Sequence, residues 1–126
     1  IGFFRWQAPW ILCCLFIFYI SSVSTPPEVL TFAYSDKIKH VFAYLFLSIV
    51  TFRGFCKWPG EISRRYCFFW AMLFCILYGA SDEWHQSFVA NRHSDAMDWI
   101  ADVIGVSIGG VLYRSYCKKT SKGEGQ

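Results

Sequence analysis

The sequence predicts an all-α fold, a polytopic membrane protein built as a four-helix transmembrane bundle. Two observations lead to this prediction. The 126 residues are 55% hydrophobic and 21% aromatic, which is more apolar than an ordinary small soluble domain. Four apolar segments divide the chain, and the remaining polar sequence is too short to cover four such helices in water. The segments are residues 8–23, 38–55, 66–80 and 97–113.

The first segment predicts an anchored membrane helix. Trp6 and Trp10 at its start suit an interfacial aromatic belt. A cleaved secretory signal is the alternative, because Arg5 precedes the apolar run and the small residues Ser22 and Ser24 follow it. Each of the four segments is shorter than the roughly 20 residues that a bilayer core requires, so their number carries the prediction more than their lengths do.

The remaining segments complete the bundle. The third either ends at Gly79 or continues as a helix into the polar run that follows it. The fourth carries Gly105 and Gly109 in a G-x-x-x-G pattern, which lets another helix approach closely and makes an oligomer contact possible. Residues 1–117 are therefore predicted to be one transmembrane domain, and residues 118–126 a disordered cytoplasmic tail.

The distribution of basic residues predicts the orientation. Lys and Arg cluster after the second and fourth segments, whereas acids outnumber bases in the other two linkers. The positive-inside rule then places both termini on the cytoplasmic side of an inner membrane, with the acidic linkers outside. Nucleic-acid binding is not predicted, because the basic residues do not form one continuous face. The clusters are Arg53, Lys57, Arg64 and Arg65, and Arg114, Lys118, Lys119 and Lys122.

Polar residues fall on single stripes of the last three helices, because residues at i, i+3, i+4 and i+7 share a helix face. Asp98 and Asp102 share their stripe with the two glycines, so they are expected to point at neighbouring helices and not at lipid. A charge in a bilayer is costly, so each carboxylate needs a partner. The stripes are Lys37, His40, Tyr44 and Ser48; Tyr78, Asp82, His85 and Gln86; and Asp98, Asp102, Gly105 and Gly109.

We expect Arg92 to pair with Asp98 and Lys37 to pair with Asp102, unless one carboxylate holds a proton with a raised pKa. Simpler roles are open for several of these residues. Asp98 at the start of the fourth helix is equally consistent with a dipole-favoured acid, with Asp95 as the N-cap. His40 alone on an apolar helix is more typical of a hydrogen-bonded packing residue, whereas the dense polar run around His85 favours a functional role.

Motifs for metal and covalent chemistry are weak. The sequence has no H-E-x-x-H, no repeated Glu-x-x-His, no phosphate-binding glycine loop and no nucleophile beside a base. No metal site and no particular cofactor are therefore predicted. The six cysteines lack a C-x-x-C pair, so neither a disulfide framework nor a zinc finger is indicated.

Three stretches resemble the VanZ-like family of small bacterial integral membrane proteins. They read DKIKHVFAY at 36–44, YGASDEWHQSFV at 78–89, and Arg92 followed by DWIADVIG at 98–105. Two positions depart from the family pattern: Ala90-Asn91 replaces a usual Pro-Gly turn, and Asp102 stands where Asn is common. The resemblance implies a membrane protein of the cell envelope, in a family whose founding member is associated with low-level resistance to the antibiotic teicoplanin. It does not imply a particular reaction.

Two functions are consistent with these residues. The first is a site that binds or processes a membrane lipid or lipid-linked cell-wall precursor, with cations holding a phosphate and histidines exchanging protons. The second is a non-catalytic membrane protein in which the same residues form an interhelical ion-pair network or a partner interface. Ion transport ranks below both, because the cytoplasmic half of the bundle is apolar. Whether the protein is an enzyme stays open. The catalytic candidates are His85, Glu83, Asp82 and His40, and the substrate-binding candidates are Lys37, Arg92, Asp36, Tyr44, Gln86, Asp98 and Asp102.

Overall fold

The computed structural model describes residues 2–24, 34–58 and 61–123, and within these ranges every regular element is a helix. The expectation of an all-α fold is confirmed for this part of the chain. A short helix precedes the four long ones. The elements are α1 Gly2–Trp6, α2 Ala8–Ser22, α3 Ser35–Cys56, α4 Glu61–Gln86 and α5 Ala96–Gly123.

The last two helices are longer than the apolar segments that predicted them. α4 continues through Gly79 to Gln86, so the polar run after Ala80 is helical. α5 continues past Tyr113 to Gly123, so residues 118–123 are helical where a disordered tail was expected. The chain offers no Gly or Pro between Gly110 and Gly123 to end the helix, and lysines suit the negative end of its dipole. The last three residues of the predicted tail, 124–126, lie outside the described residues.

α3 is the centre of the bundle. It packs against α2, α4 and α5, and its contact with α5 is the most extensive. Gly105 and Gly109 make this contact possible, because a β-carbon on Gly105 would overlap the carbonyl oxygen of Val41 and one on Gly109 would overlap the Ser48 hydroxyl. The G-x-x-x-G pair is thus used within the chain, between α3 and α5.

The bundle places polar side chains inside and many large apolar side chains outside. Ser48, Thr51 and Asp102 are fully buried, whereas Phe16 and Leu77 are more than half exposed. Such an arrangement is unfavourable in water and favourable in lipid. By length and composition, two described helices are long and apolar enough to cross a membrane, Ser35–Cys56 and Ala96–Ser121.

The far end of the α3–α4 pair carries a disulfide between Cys56 and Cys67, with the α-carbons 5.0 Å apart. The sequence indicated no disulfide, and that prediction was wrong. The two cysteines lie on different helices, 11 residues apart and without a recognisable motif, and the packing of α4 against α3 brings them together.

Candidate functional site

Four helix ends meet at one end of the bundle and gather most of its ionisable side chains. They are the C-terminal ends of α2 and α4 and the N-terminal ends of α3 and α5. We call the group of side chains between α3, α4 and α5 the polar cluster. Its members are Lys37, His40, Asp82, Glu83, Gln86, Asp95, Asp98 and Asp102.

Lys37 joins α3 to the start of α5. Its Nζ lies 2.6 Å from Asp95 Oδ2 and 2.6 Å from Asp98 Oδ1. Asp95 also caps α5, because its Oδ1 accepts a hydrogen bond of 2.9 Å from the Met97 backbone N–H. The Lys37 ammonium group, by its hydrogen bond, holds the pKa of Asp95 below its ordinary value. The N-cap role considered for Asp95 is therefore confirmed, and the residue also belongs to the site.

One turn deeper, His40 pairs with Asp102. His40 Nδ1 lies 2.8 Å from Asp102 Oδ1, and His40 Nε2 lies 3.9 Å from Asp98 Oδ2. The expected pairing of Lys37 with Asp102 is wrong. The two glycines set α5 against α3 at a depth where Asp102 is level with His40 and Asp98 is level with Lys37. Asp102 itself is fully buried.

α4 contributes two buried carboxyl groups. Asp82 Oδ2 accepts a hydrogen bond of 3.1 Å from Gln86 Nε2, and Glu83 Oε2 accepts one of 3.0 Å from the Asp95 backbone N–H. The second oxygen of Glu83 has no hydrogen-bond partner among the described residues, and the same holds for Asp102 Oδ2. The polar cluster thus holds buried carboxylate oxygens that its own donors do not satisfy.

Arg92 lies beside the cluster. Its expected pairing with Asp98 is wrong. Its guanidinium group donates to the carbonyl oxygens of Ile20, at 2.8 Å, and Val23, at 3.2 Å. These carbonyls lie at the end of α2, where the Ile20 oxygen also accepts a hydrogen bond from the Val23 backbone N–H, so the arginine adds to the capping of the helix. The preceding Asn91 has φ 60, in the left-handed region that Asn tolerates, so the departure at Ala90-Asn91 keeps the turn.

Three sequence candidates lie apart from the hydrogen bonds of the cluster. The His85 ring stacks on Phe18 of α2 with centroids 4.6 Å apart, and its Nδ1 has no partner among the described residues. Asp36 is exposed and lies 3.3 Å from Lys39 Nζ. The Tyr44 hydroxyl is buried below the cluster, also without a hydrogen-bond partner in the described part of the chain.

His40, Glu83 and Asp98 come from three different helices and converge. Each offers one ring nitrogen or carboxylate oxygen, and these three atoms lie within 4.8 Å of one another. No motif could reveal this group, because its members are 43 and 15 residues apart along the chain. The stripes on each helix predicted that polar residues would meet, but not which ones.

The described ranges are all helical, with apolar outer faces and a buried polar cluster at one end, as expected of a membrane protein. It belongs to the VanZ/LLP1 family, whose sequence model matches residues 9–117. The resemblance of the three motif stretches is therefore confirmed.

Among curated proteins, the chain is similar to an uncharacterised protein of the fission yeast Schizosaccharomyces pombe. The two are 30% identical over 86 residues, which cover 68% of this chain and 50% of the yeast protein. The chain thus spans about half the length of that relative. No solved structure matches the chain significantly.

Proposed function

We propose that this protein is a polytopic inner-membrane protein, with four transmembrane helices, that binds the phosphate-bearing headgroup of an envelope lipid or lipid-linked cell-wall precursor. The headgroup binds at the polar end of the bundle, and the lipid chain lies along the bundle's apolar side. One observation carries the proposal: an apolar cleft between α2 and α4 is lined by Phe18, whose ring stacks on His85 near the polar end of the bundle.

The cleft has a volume of about 370 Å³ and a wholly apolar lining. Trp10 and Phe74 line it near one end, and Phe18 lines it near the other. Phe18 stacks on His85, which lies about one helical turn after Asp82 and directly before Gln86 on α4. A lipid joins an apolar chain to a polar head, so one lipid molecule can place its chain in the apolar cleft and its head at the polar end of the bundle.

Two cations retain donors for a phosphate. Arg92 has five N–H groups, and the two hydrogen bonds to α2 carbonyls leave others available. Its charge is not neutralised by a carboxylate in any described part of the chain, and a guanidinium group binds phosphate oxygens well. Lys37 uses two of its three donors on Asp95 and Asp98 and keeps one.

Aromatic and apolar side chains at this end suit the membrane interface. Tyr34, Trp84, Phe88 and Met97 are all more than half exposed and surround the helix ends that carry the polar cluster. Tyr and Trp concentrate where a membrane meets water. Most Lys and Arg residues belong to the opposite end, where α3 finishes, α4 begins and α5 finishes, so the positive-inside rule turns the polar cluster outward and the two termini inward. A protein that holds a precursor there would change the access of teicoplanin to its target, which is our reading of the resistance associated with the family.

The second candidate is a structural network without a ligand. It is favoured by the way Lys37 and His40 bridge α3 to α5. One buried oxygen of Glu83 and one of Asp102 weigh against a purely structural role, because neither has a hydrogen-bond partner among the described residues. A buried polar network stabilises a fold well only when all its members are hydrogen-bonded.

The test compares two arginine variants. Wild type, Arg92→Gln and Arg114→Gln are purified in a mild detergent and analysed by native mass spectrometry for retained phosphate-bearing lipid. We expect Arg92→Gln to lose lipid at least about tenfold, since a charge-assisted contact of 1.4 kcal/mol or more is removed. Arg114, an exposed residue at the other end, serves as the matched control. Equal retention by folded samples of all three proteins would refute the proposal and favour the structural network.

A further inference from the structure

We propose that His40, Glu83 and Asp98 form a binding site for one divalent first-row metal ion at the centre of the polar cluster. One imidazole nitrogen and two carboxylate oxygens are ligands that Zn²⁺ and Mn²⁺ both accept. The site lies between α3, α4 and α5, so an ion there would also tie the three helices together.

The distances fit an ion with small adjustments of the side chains. The three candidate ligand atoms lie within 4.8 Å of one another. A tetrahedral ion that binds its ligands at 2.0–2.2 Å holds two of them about 3.3–3.6 Å apart, so the ligand atoms would approach one another by up to about 1 Å on binding. His40 Nε2 and Asp98 Oδ2, at 3.9 Å, are too far apart for a hydrogen bond and at a suitable distance for sharing an ion.

Each ligand has one atom anchored by the protein and another atom left for an ion. His40 Nδ1 is held by Asp102, Asp98 Oδ1 by Lys37, and Glu83 Oε2 by the Asp95 backbone N–H. A histidine that binds a metal ion with one ring nitrogen usually donates its other ring N–H to a carboxylate, a backbone carbonyl or a water molecule, and this hydrogen bond fixes the orientation of the ring. The His40–Asp102 hydrogen bond has the same form.

Glu83 supplies an independent observation. The residue is 5% exposed, and its Oε1 has no hydrogen-bond partner in the described ranges. Burying a carboxylate oxygen without a partner is costly, and buried charges in proteins are paired or bind metal ions. One carboxylate oxygen of Glu83 lies within 4.8 Å of a ligand atom of each of the other two residues, so the Glu83 carboxylate can bind an ion placed between them.

The charge balance of the cluster points the same way. Carboxyl groups outnumber cations, since Lys37 and the His40 ring are the only basic groups among its members. A divalent ion offsets two of the excess negative charges. The alternative is that carboxyl groups bind protons, and the experiment below separates the two. The five acids are Asp82, Glu83, Asp95, Asp98 and Asp102.

Three protein ligands leave a coordination position for a water molecule or a phosphate oxygen. In the proposed function this position would receive the headgroup phosphate, and that step rests on the proposed function. The ion site itself does not. It is therefore tested without lipid, so that its failure is distinct from a failure of headgroup binding.

The full chain is purified in detergent, treated with EDTA, dialysed and titrated with Zn²⁺ or Mn²⁺ by calorimetry. Co²⁺ is titrated in parallel, because its visible absorption reports nitrogen and oxygen ligands directly. We expect one ion per chain for wild type and an affinity at least 100-fold weaker for Glu83→Gln and His40→Ala. Asp102→Asn should weaken binding 10–100-fold, as expected of a residue that orients a ligand.

His85→Ala and His93→Ala are the matched controls, because they remove the two histidines that lie outside the trio. Both should bind like wild type. Circular dichroism establishes that each variant is folded, and Glu83→Gln preserves the volume of the side chain if His40→Ala unfolds. Wild type that binds no ion saturably would overturn the site, and so would folded Glu83→Gln that binds as tightly as wild type.

Discussion

Gly105 offers the sharpest test of how the bundle positions its polar cluster. A β-carbon at this position would overlap the carbonyl oxygen of Val41 and lie 3.0 Å from the backbone nitrogen of Leu45. Both atoms belong to the backbone of α3, which cannot rotate away as a side chain would. Gly105→Ala therefore requires α5 to move off α3.

The magnitude follows from two opposing effects. Inserting a methyl group into a packed interface costs roughly 1–3 kcal/mol, and the upper part of this range applies because the obstructing atoms are backbone. Alanine in place of glycine favours the helix by about 1 kcal/mol. We expect a net loss of about 1–2 kcal/mol in the free energy of unfolding, together with a weaker ion pair between Lys37 and Asp98.

The assay is equilibrium unfolding in micelles, followed by circular dichroism. Gly2→Ala is the matched control, because a β-carbon there meets nothing within 4 Å. It should be neutral or slightly stabilising. If Gly105→Ala is as stable as Gly2→Ala, the close approach of α3 and α5 is not what positions the cluster, and the reasoning fails.

Three further predictions concern single groups. His40→Ala leaves the buried carboxylate of Asp102 unpaired and should lower the free energy of unfolding by about 3–5 kcal/mol. His93 is exposed, so His93→Ala should change this free energy by no more than about 0.5 kcal/mol. Equal effects of the two substitutions would contradict the pairing of His40 with Asp102. Because the pKa of Asp95 is lowered, its charge stabilises the folded state above the ordinary pKa near about 4, and this contribution is lost as the pH falls through the lower folded-state pKa. The loss of melting temperature caused by Asp95→Asn should therefore be constant from about pH 5 to 7 and shrink below about pH 4. A loss that acid does not change would refute this prediction. The Cys56–Cys67 disulfide lies at the end that the proposed orientation turns toward the cytoplasm, where disulfides are rare, so the redox state of this pair in cells tests the orientation. Alkylation of both thiols in acid-quenched cells without prior reduction would support the proposed orientation, and a pair that stays oxidised would argue for the opposite one.

The sequence predicted the faces of the helices better than their partners. The spacing of Asp98, Asp102 and the two glycines placed all four on one stripe, and the structure packs that stripe against α3. This works because the helical repeat is local. A buried carboxylate in an apolar segment must also point inward, whatever the rest of the fold does.

The pairing of charges depends on the depth at which one helix packs against another, which no local pattern encodes. α5 packs on α3 where Gly105 and Gly109 allow close approach, and at this depth Lys37 lies beside Asp98 and not beside Asp102. Arg92 was mispaired for a related reason. Its carbonyl partners become visible only when the end of α2 lies beside the loop before α5.

The family and the motif stretches marked the residues of the site, but not its chemistry. His85 stood out in the sequence because of its polar neighbours, yet its ring lies against Phe18 and apart from the hydrogen bonds of the cluster. His40 was the less prominent histidine, and it is the one that joins Asp102 and converges with Glu83. A role in acid/base chemistry stays a prediction for both.

The central claim is that the polar cluster faces outward, where a headgroup of the outer leaflet can reach it. Single cysteines are placed at Asn91, Trp58 and Ser121 in a cysteine-free chain, and intact cells are treated with a membrane-impermeant thiol reagent. All three positions are exposed, and Asn91 alone lies at the polar end. The account predicts labelling at Asn91 and none at the other two until the membrane is broken. Labelling of Trp58 or Ser121 in intact cells, with Asn91 protected, would contradict it.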